Sequence, residues 1–161
     1  KEKIVGFTCG AFDLLHPGHI AMLNDCKMYC DHLIVGLHTD PSIDRPTKNK
    51  PIQSVYERYV QLKGCKHVDE IIPYDTEEDL QNLLSIESID VRFVGSEYKG
   101  TYITGQKICD MRKIAVVFEG KRIGLPLIGA GLAGGDWEVI KDIIRNNLEG
   151  MVDYTIVEWS K

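Results

Sequence analysis

Ile4-Val5-Gly6-Phe7-Thr8-Cys9-Gly10-Ala11-Phe12-Asp13-Leu14-Leu15-His16-Pro17-Gly18-His19 is the stretch on which the fold turns. Its apolar, β-favouring start through Thr8 predicts a strand that ends in Cys9-Gly10. Pro17 suits a first helical turn, and Ile20, Leu23 and Lys27 then carry helical spacing as far as Tyr29. Further along, His32 to Leu37 is continuous enough for a strand buried on both faces, as in a parallel sheet. His38 to Pro51 is polar and proline-interrupted and reads as a surface loop. Ser54 and Glu57 are spaced as a capping box for a helix reaching Gly64, Glu70 to Pro73 is the next strand, and Thr76 with Asp79 opens a helix to Leu84. Val91 to Val94 and Lys113 to Phe118 are strands, followed by Arg122 to Ile128. Trp137 to Leu148 is an amphipathic helix and Asp153 to Trp159 a last strand. This alternation predicts an α/β fold: a doubly wound, Rossmann-like parallel sheet with helices on both faces. Ligands of such sheets bind at the carboxyl ends of the strands, which makes the loop from Cys9 to His19 the expected active corner.

A chain of 161 residues, 43% hydrophobic and 27% charged, suits one main core. The net charge of -5 and the pI near 5.5 argue against a nucleic-acid partner and favour small-molecule chemistry. Five cysteines, Cys9, Cys26, Cys30, Cys65 and Cys109, are odd in number and lie mostly in apolar stretches, as reduced thiols in a cytoplasm would. Cys26 and Cys30 could be offered as metal ligands, but no second Cys or His pair completes a zinc set, so structural thiols are expected and no protein metal ligand is assigned. Lys1-Glu2-Lys3 carries no apolar signal region, and no run approaches the ~18 apolar residues that cross a bilayer. A cytoplasmic protein without a membrane partner is the expectation.

Within the active corner, His16 and His19 stand three residues apart at a helix start, where free backbone N-H groups and the helix dipole attract phosphate. Gly10 and Gly18 lack a Cβ and let a triphosphate approach main-chain amides. Nucleotidyl transfer needs no protein nucleophile; its rate comes from alignment and from stabilising charge on the departing pyrophosphate. The competing reading, two histidines that only cap or fill a helix start, would suit a lone His better than a His-x-Gly-His set in a strand-to-helix loop.

His16-Pro17-Gly18-His19, with Gly10-Ala11-Phe12-Asp13 before it and Tyr56-Glu57-Arg58 after it, resembles the cytidylyltransferase branch of the nucleotidyltransferases, glycerol-3-phosphate cytidylyltransferase most of all. Ile34-Val35-Gly36-Leu37-His38-Thr39-Asp40 adds a more distant likeness to ethanolamine-phosphate cytidylyltransferase, and the whole resemblance spans about residues 3–104. It implies transfer of CMP from CTP to a small phosphorylated alcohol such as glycerol 3-phosphate, with release of pyrophosphate. It implies His16, His19 and Lys48 as catalytic residues, and Thr8, Cys9, Gly10, Ala11, Phe12, Gly18, Lys50, Arg58, Gly95 and Glu97 around the nucleotide. Asp13 would fix the loop. Taken alone, Lys48 and Lys50 are better explained by a solvated loop; the motif context reverses that. Glu97 stands where the family often has Asp, which keeps ATP open as the donor. The resemblance also implies Mg2+ held mainly by triphosphate oxygens, and a homodimer.

The family's closing Ser/Thr-rich helix start is not found. Instead Gly129-Ala130-Gly131-Leu132-Ala133-Gly134-Gly135 lies between a strand and a helix and resembles the last part of macro (ADP-ribose-binding) domains. The expected division is therefore a nucleotidyltransferase domain over residues 1–112 and a macro-domain-like segment over 113–161, packed onto or extending the same sheet. Gly129, Ala130, Gly131, Leu132 and Gly134 form a possible phosphate loop; a tight turn is the plainer alternative. Two other function classes stay open: an ADP-ribose-binding or processing module, and a scaffold without catalysis.

Overall fold

The computed structural model describes residues 3–119, 123–125, 139, 142 and 154–156. The chain forms two compact units, Lys1–Glu119 and Gly120–Lys161. The first contains β1 (Val5–Gly10), α1 (Pro17–Met28), β2 (His32–His38), α2 (Val55–Lys63), β3 (Glu70–Tyr74), α3 (Glu77–Ile86), β4 (Val91–Gly95), a 3-10 turn (Ser96–Tyr98), α4 (Gln106–Arg112) and β5 (Ala115–Glu119).

The five strands lie in the order β3-β2-β1-β4-β5, and every pairing is parallel. This is the doubly wound, Rossmann-like α/β sheet. Side-chain alternation sorts the core to two faces: Leu33, Val35 and Leu37 of β2 pack with Leu23 and Cys26 of α1 and Leu62 of α2. Ile34, between them in sequence, packs on the opposite face with Phe7, Tyr74, Leu80, Leu84 and Cys109, beneath α3 and α4.

The helix starts follow their local chemistry. Ser54 and Thr76 both close full capping boxes, with Glu57 and Asp79. The seven-residue α4 has no counterpart among the sequence expectations; Gly105, at φ 78, turns the chain into it. The strand expected from Lys113 is β5, fifth in the first unit's sheet.

In the second unit, β6 (Ile123–Leu125) pairs in parallel with β7 (Tyr154–Ile156) in a two-stranded sheet. Val139 and Asp142 are helical. The glycine loop Gly129, Ala130, Gly131, Leu132 and Gly134 lies outside the described residues. No helix among the described residues is long and apolar enough to cross a membrane.

None of the five cysteines is in a disulfide, and Cys26, Cys30, Cys65 and Cys109 are buried. Cys30 donates to the Cys26 carbonyl at 3.3 Å, and Cys26 contacts Met22 Sδ at 3.5 Å, as packed helix thiols do.

Candidate active site

The strand order reverses between β1 and β4, because the chain leaves β1 toward β2 on one side and returns to β4 on the other. A crevice opens at the carboxyl ends of strands where the order reverses in this way. Two segments meet this description: the β1–α1 loop, Ala11 to His16, and Gly95 with the turn Ser96–Tyr98 after β4.

His16 is the N-cap of α1. Its Nδ1 accepts the Gly18 N-H at 3.1 Å, so the ring proton sits on Nε2. His19 stacks on His16 with ring centroids 3.9 Å apart and planes 26° from parallel, and Phe12 lies 5.4 Å from it. His19 Nδ1 is shielded from solvent and makes no hydrogen bond. Burial, with the neighbouring His16 adding to it, pulls the His19 pKa down to about 4, and burial also lowers that of His16. Both rings are therefore neutral near pH 7. A bound polyanion favours their protonated forms, so they are poised to share charge with a triphosphate.

The loop is held in an unusual backbone shape. Phe12 and Leu14 sit at φ 49 and 48, a left-handed conformation that costs a non-glycine residue about 1–2 kcal/mol. Asp13 between them accepts the N-H of Ile52 at 2.7 Å and of Gln53 at 2.9 Å, and the Leu14 N-H donates to Gln53 Oε1 at 2.8 Å. Burial pushes the Asp13 carboxyl up, but these backbone hydrogen bonds outweigh it and hold the group below its ordinary range. Asp13 thus fixes the loop, and Gln53 is its partner, a residue with no sequence signal.

Arg58, expected near the nucleotide, is 1% exposed. It donates to the carbonyls of Ala11 and His38 at 2.8 Å each, of Gln53 at 3.1 Å, and of Thr39. With its guanidinium committed to main chain, it ties the β1–α1 loop to the segment after β2. Cys9 likewise turns its thiol away from the histidines, onto the face where Phe7 and Tyr74 pack, and burial pushes that thiol up. Only its main chain is left for a ligand. Thr8 is buried, Gly10 and Ala11 lead into the loop, and Gly18 supplies the N-H that His16 accepts.

Lys48 is exposed and reaches the Tyr98 phenol at 3.4 Å, which joins the long loop to the turn after β4. Lys50 is exposed as well. The Glu97 carboxylate folds back over Gly95, where a Cβ would lie 2.3 Å from both of its oxygens.

The protein groups at the histidine corner are imidazoles and amides, and the Asp13 oxygens are taken up by backbone N-H groups. That set suits an anion, and a Mg2+ ion at this corner would be held mainly by the oxygens of such an anion. Among the described residues, donor atoms of His38, Asp44 and Glu77 also lie within 4.8 Å of one another. His38 belongs to the opposite sheet face, stacked on Tyr74 at 4.5 Å.

The Cytidylyltransferase-like family matches residues 7–149, and the chain belongs to that family. The protein is thus an α/β protein of the cytidylyltransferase-like class. Bifunctional protein HldE of Caulobacter sp. (strain K31) is 40% identical over 107 residues, covering 65% of this chain and 21% of that protein. HldE of Wolinella succinogenes is 37% identical over 121 residues, 74% of this chain and 25% of that protein. The chain therefore spans a fifth to a quarter of the length of these curated relatives. A crystal structure of a lipopolysaccharide core biosynthesis protein from Thermoplasma volcanium GSS1 shares the fold, with TM-score 0.60, 22% identity, and 74% of this chain and 98% of that one covered. The family match crosses most of residues 113–161, and the macro-domain likeness finds no support in these comparisons.

Proposed function

We propose that this chain transfers a nucleoside monophosphate from a nucleoside triphosphate to the phosphate of a small phosphorylated alcohol, releasing pyrophosphate. The observation that carries the reading is the stacked, neutral His16–His19 pair, 3.9 Å apart at the start of α1 and beside the point where the strand order reverses. An acceptor phosphate oxygen attacks the α-phosphorus, the bond to the bridging oxygen breaks, and the electron pair leaves with pyrophosphate. The His16 Nε2-H and the N-H groups of the first helical turn stabilise the growing charge. Lys48 and Lys50, in the polar loop, are assigned to the donor and acceptor phosphates. Mg2+ bound to the triphosphate supplies further charge neutralisation.

Glycerol 3-phosphate and sugar phosphates offer the same nucleophile, a phosphate monoester on a polyhydroxyl carbon frame. CTP is the first donor by the motifs. ATP is the second reading, left open by Glu97: a carboxylate at that turn can accept from an exocyclic amine, which cytosine and adenine both carry. The test is pyrophosphate release with each of CTP, ATP, UTP and GTP against a panel of phosphorylated alcohols. Release that depends on an acceptor and on His16 supports the reading; none with any pair rejects it.

A further inference from the structure

From Thr39 to Gln53 the chain forms no strand or long helix, yet this loop carries Lys48 and Lys50. A cation serves at a reacting phosphate only if its backbone is held to a fraction of an ångström. The ends of the loop are tied: Arg58 holds the Thr39 carbonyl, and Asp13 holds the Ile52 and Gln53 amides. Its middle rests on α3. Asp44 Oδ2 accepts the N-H of Glu77, the first residue of that helix, at 2.6 Å, and Asp44 Oδ1 faces His38 Nε2 at 3.8 Å.

Next in sequence, Arg45 places its guanidinium 3.7 Å from Glu77 Oε1. That oxygen is shielded from solvent and makes no hydrogen bond, while Glu77 Oε2 accepts from the Thr104 hydroxyl. A carboxylate oxygen so placed depends on a nearby positive charge. Arg45 also faces the Tyr98 phenol. The Lys48 N-H closes a turn on the Arg45 carbonyl at 2.8 Å, and Lys48 Nζ reaches Tyr98 at 3.4 Å. Two cations converge on one phenol, and the Glu77 charge lets them do so without net repulsion.

We propose that Glu77 and Arg45 are positioning residues: their ion pair fastens the loop to α3 and sets Lys48 against Tyr98, beside the turn after β4. Lys48 meets substrate phosphate; Glu77 and Arg45 act through it. The role given to Lys48 rests on the proposed function, whereas the fastening of the loop does not.

The experiment uses the full chain and the variants Glu77→Gln, Arg45→Gln and Lys48→Ala, with Glu77→Gln/Lys48→Ala as the double. Hydrogen exchange of the peptide spanning Asp40 to Pro51 reads the fastening without any assay of turnover. It should rise about tenfold in both Glu77→Gln and Arg45→Gln, the order expected for one partly buried ion pair, with β1 and β2 peptides unchanged. Two variants on opposite elements guard against a misfolded protein. In the transfer assay, Glu77→Gln should lower kcat/KM in the wild-type background and add nothing to Lys48→Ala. Unchanged exchange in both single variants overturns the latch, and additive losses in the double overturn the link to Lys48. If the wild type transfers nothing, the proposed function fails while the exchange result still decides the latch.

Discussion

Asp13 and Gln53 are joined at 2.9 Å, carboxylate to backbone N-H, across a separation of forty residues in sequence. Gln53 returns the contact through its side chain, which accepts from the N-H of Leu14. The loop that presents the two histidines and the loop that presents the two lysines are therefore one braced unit, on which each prediction below depends.

Replacing His16 by Asn keeps a helix cap but removes the ring, and replacing His19 by Ala removes the stacked partner. Either change should lower kcat by about 10²–10³, the usual loss when a charge-stabilising donor is deleted. Steady-state pyrophosphate release measures this. A thermal midpoint within a few degrees of wild type would separate chemistry from folding.

The buried His19 gives a pH signature. Its pKa is depressed to about 4, against 6.5 in an unfolded chain. As the pH falls through 6.5 the unfolded state takes up a proton that the folded state refuses until about pH 4, so stability falls across that window. Urea midpoints from pH 7 to 4 should decline, and His19→Asn should flatten the decline. Nucleotide binding in the same window should take up protons, as calorimetry in buffers of different ionisation enthalpy would detect.

Arg58→Met should cost about 3–5 kcal/mol in urea unfolding, because it strands one buried and several part-buried carbonyls that now share one guanidinium. Arg58→Lys should recover little, since an ammonium cannot span the same fork of acceptors. If Arg58→Lys keeps full stability while losing nucleotide affinity, the residue binds ligand after all.

Gly95→Ala tests the turn after β4. The obstacle it meets is the flexible end of Glu97, so stability should change by less than about 1 kcal/mol. The displaced carboxylate should instead raise the KM for the nucleotide and blur the preference among bases. Glu97→Ser alone should have the same effect on base preference.

The parallel sheet was legible because its strands are short apolar runs and its helices announce themselves, Ser54 and Thr76 with complete capping boxes. The histidine pair was legible because cap, proline and glycine lie within four residues. Helix α4 was not: seven residues entered from a left-handed Gly105 leave no periodic pattern to find. For Arg58 the helix position was visible in sequence, while its acceptors on Ala11 and His38 were not. Gln53, Arg45 and Glu77 were missed for the same reason, since their partners lie 27 to 53 residues away. The glycine loop from Gly129 to Gly135 was read from its glycines between an expected strand and helix and from a resemblance to macro domains, and it lies outside the described residues.

The most direct measurement is acceptor-dependent pyrophosphate release from CTP or ATP with Mg2+ and a phosphorylated polyol or sugar, followed together with the nucleotide-linked product. The account predicts equal amounts of pyrophosphate and product with wild type, and a loss of at least about a hundredfold with His19→Ala. Product formed at the same rate by His19→Ala would contradict it.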